Sequence, residues 1–325
     1  MLLIYNRSTD PAFNLALEEY ALTARPEEIL ILWRNDKAVI VGRNQNSAQE
    51  IDGDYLEREK ISLVRRLSGG GAVYHDLGNI NFTMIHAMES GNFGSYGRFT
   101  KPVCDFLATL GLSAYYEGRN DILLGGKKIS GNAQTAKGGR FMHHGTLLYA
   151  VDFDDLAAAL RPPDAKIESK GIKSIRSRVT NISDHLADPM PPEQFLLAMY
   201  DYFAAHMKGI QTYELSAYDI AQAEALAREK YSSRQWNYGM SPKYNYRRTA
   251  KYSCGIVDLR LDVKGGIIEK AAISGDFFGI RDISGLEALL AGIWHEKTAV
   301  AAAISSVKID DYISGITREE FGGLF

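Results

Sequence analysis

Two arginines, a serine and three glycines stand together in the run Arg65-Arg66-Leu67-Ser68-Gly69-Gly70-Gly71. Glycines carry no Cβ, so a ligand can approach their backbone closely and the N–H groups can converge on an oxyanion. A guanidinium fork matches a carboxylate or phosphate in geometry. Neighbours alternate across a strand, so one of the two arginines shares a side with Ser68. Together these groups would make an anion pocket on a sheet. The alternative is a glycine-rich hairpin with two solvated arginines. The run is no P-loop, because Gly-Lys-Ser/Thr does not follow. It is no dinucleotide fingerprint either, because the spacing is absent and a strand follows where a helix is needed.

Further along, Lys127 and Lys128 follow Gly125-Gly126. The flanking residues read as a hairpin with a Gly-Gly turn. The two lysines point to opposite faces, and the pattern leaves open which one meets a pocket. A lysine held beside an arginine–glycine site could clamp developing negative charge; a solvated hairpin lysine is the ordinary alternative. His143 and His144 lie on a strand over 141–151. As neighbours they face opposite ways and cannot easily share one metal ion. Over 161–181, Arg161, Lys166, Lys170, Lys173, Arg176 and Arg178 outnumber Asp164 and Glu168. Pro162-Pro163 and Gly171 argue against one continuous helix. This stretch reads as a mobile basic loop able to close over a polyphosphate, or as a solvated basic linker.

The elements that must position these groups follow from periodicity and punctuation. Residues 61–86 read as a strand, the glycine turn, a second strand, a tight turn at Asp76-Leu77-Gly78-Asn79 and a third strand. Upstream, 2–5 is a strand, and Asp10-Pro11 opens a helix with Asp as cap and Pro in its first turn. Residues 29–33 and 38–41 are apolar runs that read as a hairpin. The polar segment 42–46 follows, and 54–60 is a short charged helix. Downstream, a helix over 99–110 ends at Gly111, 113–116 is a strand and Asp152 caps a short helix. The stretches 191–207 and 217–231 are helical, with a strand near 211–215. Residues 241–251 are polar and turn-rich, as at a domain boundary. Beyond them 254–263 and 267–274 flank Gly265-Gly266 as a hairpin, followed by two short helices.

The 325 residues suit one large domain or two. With 46 % hydrophobic and 24 % charged residues the chain can bury a substantial core. A net charge of −3 gives no general pull toward nucleic acid or anionic membrane. Cys104 and Cys254 are far apart and in no metal spacing, which fits a reducing cytoplasm rather than a disulfide scaffold. The N-terminus reads as having no signal peptide, and no apolar run reaches the length of a membrane span.

The anchors RRLSGGGAVYHDLGN, GRND followed by KKISGNAQ, HHGTLL and KGIKSIRSRVTN, in this order and spacing, resemble the lipoate–protein ligase A family along the whole chain. The resemblance implies an α+β fold: a large mixed-sheet catalytic domain over 1–247, like biotin and lipoate ligases with a class II synthetase-like core. A small α/β accessory domain over 248–325 would follow. It implies ATP-dependent activation of free lipoate or octanoate to the acyl-adenylate, then transfer to a lysine of a lipoyl carrier domain. The carriers would be 2-oxoacid dehydrogenase acyltransferase subunits or the glycine cleavage H protein.

By the motif match Arg66, Gly71, Ala72, Val73 and Tyr74 would line ATP and the adenylate, and Lys128, the second lysine of KKISG, would bind the activated carbonyl and phosphate. Asn120 and Asp121 would sit beside the reaction centre, with Asp121 on Mg²⁺ or the adenylate. Ser68, Gly70, His75 and His144 would border lipoate, and Lys170, Gly171, Ser174, Arg176 and Arg178 would belong to an adenylate-binding loop. Leu67 and Asn132 depart from the family pattern, where serine is common, and put fine contacts in doubt. The implied protein is a cytoplasmic monomer that uses ATP and Mg²⁺ and engages neither nucleic acid nor membrane. Rival readings are an acyltransferase working through a cysteine thioester, which needs a reactive cysteine in the pocket, a biotin ligase, and a silent lipoate-binding protein.

Overall fold

The computed structural model describes residues 1–45, 47–160, 177–238 and 246–325. In chain order the strands are β1 (Leu2–Tyr5), β2 (Ile29–Arg34), β3 (Ala38–Val41), β4 (Ser62–Arg65), β5 (Val73–His75), β6 (Asn79–Ala87) and β7 (Ala114–Glu117). There follow β8 (Asp121–Leu124), β9 (Lys127–Lys137), β10 (Arg140–Leu148), β11 (Gln211–Thr212), β12 (Tyr246–Tyr252), β13 (Gly255–Lys264) and β14 (Ile267–Gly275). A large mixed sheet has the order β11-β1-β2-β6-β10-β9-β8-β7, and two smaller ones run β4-β3-β5 and β12-β13-β14.

Alternation along the central strands assigns each face of the large sheet. Leu30, Leu32, Phe82, Met84, Phe141 and Leu147 point to one face, which the helices Tyr96–Thr109 and Pro192–His206 cover through Val103, Phe106, Phe195 and Phe203. Ile29, Ile31, Trp33, Ile85 and Met142 point to the other. There they meet the helix Pro11–Ala24 and residues Ile40 and Val64 of the small sheet. Asp10 caps that helix by accepting from the Ala12 N–H at 2.9 Å, which satisfies one of the orphan donors of the first turn.

The expected hairpin of 29–33 with 38–41 is not formed. β2 pairs with β1 and β6 in the large sheet, whereas β3 lies at the centre of the small one. Both strands are buried on both faces, so their apolar runs carry no alternation to assign them to one sheet. Likewise β4 and β5 flank β3 on opposite sides, and β6 belongs to the large sheet. The glycine run therefore crosses over the end of β3 instead of closing a hairpin. The hairpin at Gly125-Gly126 is formed, with a register shift between Ile122 and Leu123.

The C-terminal sheet and the helices Ser284–Leu290, Lys297–Ala303 and Arg318–Gly322 enclose a core of their own around Val257, Leu259, Leu261, Leu286 and Phe321. Among the described residues no helix is long and apolar enough to cross a membrane.

Candidate active site

Arg66 follows β4 directly and is almost fully buried. Its Nη2 donates to the carbonyls of Gly69 at 2.7 Å and Gly71 at 2.8 Å, its Nη1 to Ile40 at 3.0 Å, and its Nε to Ser68 Oγ at 3.1 Å. The guanidinium thus gathers the carbonyls of the glycine run around itself. Burial pushes its pKa down to about 10, so it stays cationic at neutral pH. Glycine is required at 70, where φ is +94°, and a Cβ there would stand 2.8 Å from the Phe278 ring and 2.9 Å from Arg66 Nη2. Arg65 has the opposite assignment. It donates to the carbonyls of Gly42, Arg43, Gln45 and Trp236 and pins those segments together, and it does not line the cavity.

Ser68 has no exposed surface and stands behind the glycine run. Its Oγ is 2.6 Å from His144 Nε2, and His144 Nδ1 is 2.9 Å from Glu18 Oε1. Glu18 also accepts from Thr83 Oγ1 at 2.5 Å, and Thr83 accepts from the Trp33 indole at 2.9 Å. A buried chain of hydrogen bonds therefore runs from Arg66 to Trp33.

Lys128 lies on β9 with Ile129 turned into the core behind it. The β8–β9 hairpin settles which lysine faces the pocket: Lys128 lines it and Lys127 does not. Its Nζ is 2.8 Å from Asp121 Oδ1, and both side chains are about one-third exposed, at 37 % and 34 %. Asn120 and Asn132 exchange bonds across the same hairpin, Nδ2 of Asn120 to the Asn132 carbonyl at 2.6 Å and Nδ2 of Asn132 to the Asn120 carbonyl at 3.0 Å. The Thr180 N–H donates to the Lys128 carbonyl at 3.1 Å.

These groups surround one cavity of about 330 Å³. Arg66, Gly70, Gly71, Ala72, Val73, His75, Asp121, Lys128 and His144 all line it. Tyr74 does not: its side chain packs on the opposite side of β5 and its hydroxyl donates to Asp155 Oδ2 at 3.1 Å. Ser68 touches the cavity only through His144 and Arg66. Arg178 is exposed and outside the lining, and Lys170, Gly171, Ser174 and Arg176 lie outside the described residues.

Several further residues line the cavity, Arg119 and Thr146 from within the GRND and HHGTLL anchors and the rest from outside any motif. Trp33, Asn81, Arg119 and Thr146 come from strands and turns, and Asp276 and Phe278 come from the C-terminal unit. Arg119 stacks over Phe278, its guanidinium carbon 4.8 Å from the ring centre, and donates to the Cys254 carbonyl. The Gly70 N–H donates to the Phe277 carbonyl at 3.2 Å. The alternation Asn79, Asn81, Thr83 on a buried strand was the available clue, because polar side chains repeating at period two line one face.

The profile of the lipoyl protein ligase A/B catalytic domain matches residues 10–204, and that of the bacterial lipoate protein ligase C-terminus matches 241–325. A lipoate–protein ligase of Bacillus subtilis (strain 168) is 44 % identical over 326 residues, covering 99 % of this chain and 98 % of the relative. The chain belongs to the lipoate–protein ligase family. Among solved structures, the bipartite lipoate protein ligase of Thermoplasma acidophilum, described with its E2 lipoyl domain, is 31 % identical with a TM-score of 0.65. It covers 75 % of this chain and 98 % of that one. A lipoate–protein ligase A bound with ATP is 29 % identical with a TM-score of 0.62, over 74 % of this chain and 98 % of that one.

For a lipoate–protein ligase the cysteines are in the wrong places to act as nucleophiles. Neither lines the cavity. Burial pushes the Cys104 thiol up to about 11 and raises Cys254 as well, the reverse of what a thioester-forming thiol needs.

Proposed function

We propose that the chain activates lipoate with ATP to lipoyl-AMP and then acylates a lysine of a lipoyl carrier domain. The observation that carries this reading is Lys128, paired to Asp121 in a cavity that also holds the Arg66-centred glycine loop. In the first step a carboxylate oxygen bonds to the α-phosphorus and the bond to pyrophosphate breaks. Two anionic partners must be brought together, and fixed cationic groups and backbone donors lower that barrier most. Lys128 bridges the carboxyl and the α-phosphate. The loop 70–73 supplies backbone contacts, and Arg66 supplies positive potential from behind it while its N–H groups hold the loop in shape. In the second step the carrier amine attacks the mixed anhydride and AMP leaves, so no protein nucleophile is needed.

Mg²⁺ fits this site. One or two carboxylates together with substrate phosphates make an ordinary magnesium set, and Asp121 and Asp276 both line the cavity. The ion would neutralise phosphate charge, and Asp121 would exchange Lys128 for it as substrates enter. The division into a catalytic unit through 247 and an accessory unit from 248 falls within β12, so the working boundary belongs just before that strand. The basic stretch to Arg178 would close over the adenylate, and a lipoyl domain is the acceptor that the family and the Thermoplasma pairing support. The test is lipoate-dependent exchange between ATP and pyrophosphate with Mg²⁺. Exchange by the wild type that disappears in Lys128→Ala supports the reading; no exchange with lipoate or octanoate overturns it.

A further inference from the structure

A buried relay of asparagines fixes the tautomer of His75. Asn14 Oδ1 accepts from Asn6 Nδ2 at 2.7 Å and its Nδ2 donates to the Arg34 carbonyl at 2.9 Å, which sets the orientation of its amide and leaves a second N–H for a further acceptor. The same nitrogen lies 2.8 Å from Asn35 Oδ1, so Asn35 turns its Nδ2 toward His75 Nδ1, 3.0 Å away. A donor facing Nδ1 requires a lone pair there, and the ring proton therefore sits on Nε2. Burial, helped by the nearby Arg66 charge, holds His75 near a pKa of about 3, so the ring is neutral.

That Nε2–H has no hydrogen-bond partner among the described residues, although His75 is only 3 % exposed. Its ring lines the cavity with Nδ1 turned away to Asn35. Asn81, 1 % exposed, lines the cavity beside it with Nδ2 also unpartnered. A buried donor left unpaired costs about five- to a hundredfold in an equilibrium constant. A group held so deliberately against that cost is set for a ligand acceptor.

The position of His75 says which part of the ligand it meets. It lies two residues beyond Val73 on β5, roughly 7 Å along the strand from the glycine loop. It packs edge-on to Trp33, with ring centres 6.3 Å apart, where Leu15 and Ile40 make the wall apolar. A carboxyl held at the loop's Val73 end would therefore place the ring of lipoate, at the far end of its valeryl chain, beside His75. The dithiolane sulfurs of that ring carry lone pairs and are weak acceptors; the tail of octanoate presents only C–H. We propose that His75 is a specificity-determining residue, its Nε2–H donating to a dithiolane sulfur so that the cavity prefers lipoate to a saturated acid of similar length. This rests on the activation reaction proposed above.

The experiment measures pyrophosphate exchange by the wild-type protein with lipoate, octanoate and 5-cyclopentylpentanoic acid, the carbocycle in which methylenes replace both sulfurs. A KM about tenfold higher for the carbocycle than for lipoate, with similar kcat, is expected from one unpaired buried donor. Equal KM values for these two acids would overturn the inference while leaving the activation reaction intact. Absence of exchange with all three acids would instead remove the reading on which it rests. His75→Phe should lower the lipoate-to-carbocycle preference toward one, and His75→Gln, which keeps both a donor and an acceptor, should retain most of it. A preference unchanged in a folded His75→Phe would also overturn the inference.

Discussion

At the end of the cavity near Trp33 and His75, side chains are held by buried hydrogen bonds, His75 through Asn35 and Asn14 to a backbone carbonyl and Trp33 through Thr83 to Glu18. At the end near Lys128 and Asp121, the two charges are partly exposed and hold each other across 2.8 Å. The first arrangement is set before any ligand arrives. The second is an exchangeable pair, in which a substrate carboxylate or phosphate can take the place of Asp121. Recognition and chemistry are thus built with different degrees of rigidity in one cavity. An ion pair at this exposure contributes little to stability, so Lys128 can change partners at small cost.

The largest break in that comparison is Lys128→Ala. Exchange should fall by about a hundred- to a thousandfold, while the melting temperature moves little. A large loss of stability would mean that the pair is structural.

Acid should act on the locked regions of the fold. Burial, ahead of the neighbouring positive groups, holds His75 and His143 at about 3. In the unfolded chain a histidine takes up its proton near pH 6.5. Between those values the unfolded state binds more protons, so stability is lost as pH falls, by about 1.4 kcal/mol per pH unit for each histidine. Urea unfolding at pH 7 and pH 5 should show this slope, and His143→Gln should remove about half of the histidine contribution. An identical slope in that variant would place the proton uptake elsewhere.

Glu18 links Trp33 to the glycine loop, through Thr83 on one side and through His144, Ser68 and Arg66 on the other. Glu18→Gln should weaken the bonds from Thr83 and His144 and lower kcat/KM by about tenfold, with little change in far-UV circular dichroism. A smaller effect belongs to the seam with the C-terminal unit. Phe278→Ala removes the stacking of Arg119, worth about 0.5–1 kcal/mol at such a site, and should raise the KM for ATP by only a few-fold. A loss as deep as that of Lys128→Ala would make the seam part of the chemistry.

Much of the charged end was legible in the sequence: the arginine–glycine run marked an anion pocket locally, while the choice of Lys128 over Lys127 came from the family resemblance. Arg66 shares a side with Ser68 as alternation requires, and Lys128 faces away from Ile129. The locked end was less legible. Trp33 and Asn81 sit on adjacent strands of one sheet and His75 on another, and nothing in their local spacing says that these sheets meet. The expected hairpin of β2 and β3 would have kept Trp33 beside Ile40 in one sheet, whereas the two residues face each other across the core. Asp276 and Phe278 were invisible for a simpler reason: they are some two hundred residues from the glycine loop in sequence.

Gly69 sits where the chain leaves no slack. A Cβ at this position would stand 2.2 Å from the Phe277 carbonyl oxygen. A single methyl group there would act as a wedge, driving the C-terminal segment off the loop without touching Lys128, Asp121 or His75. Gly69→Ala is in that sense a lever: it turns the fit between the two units into something an experimenter can set by one carbon atom.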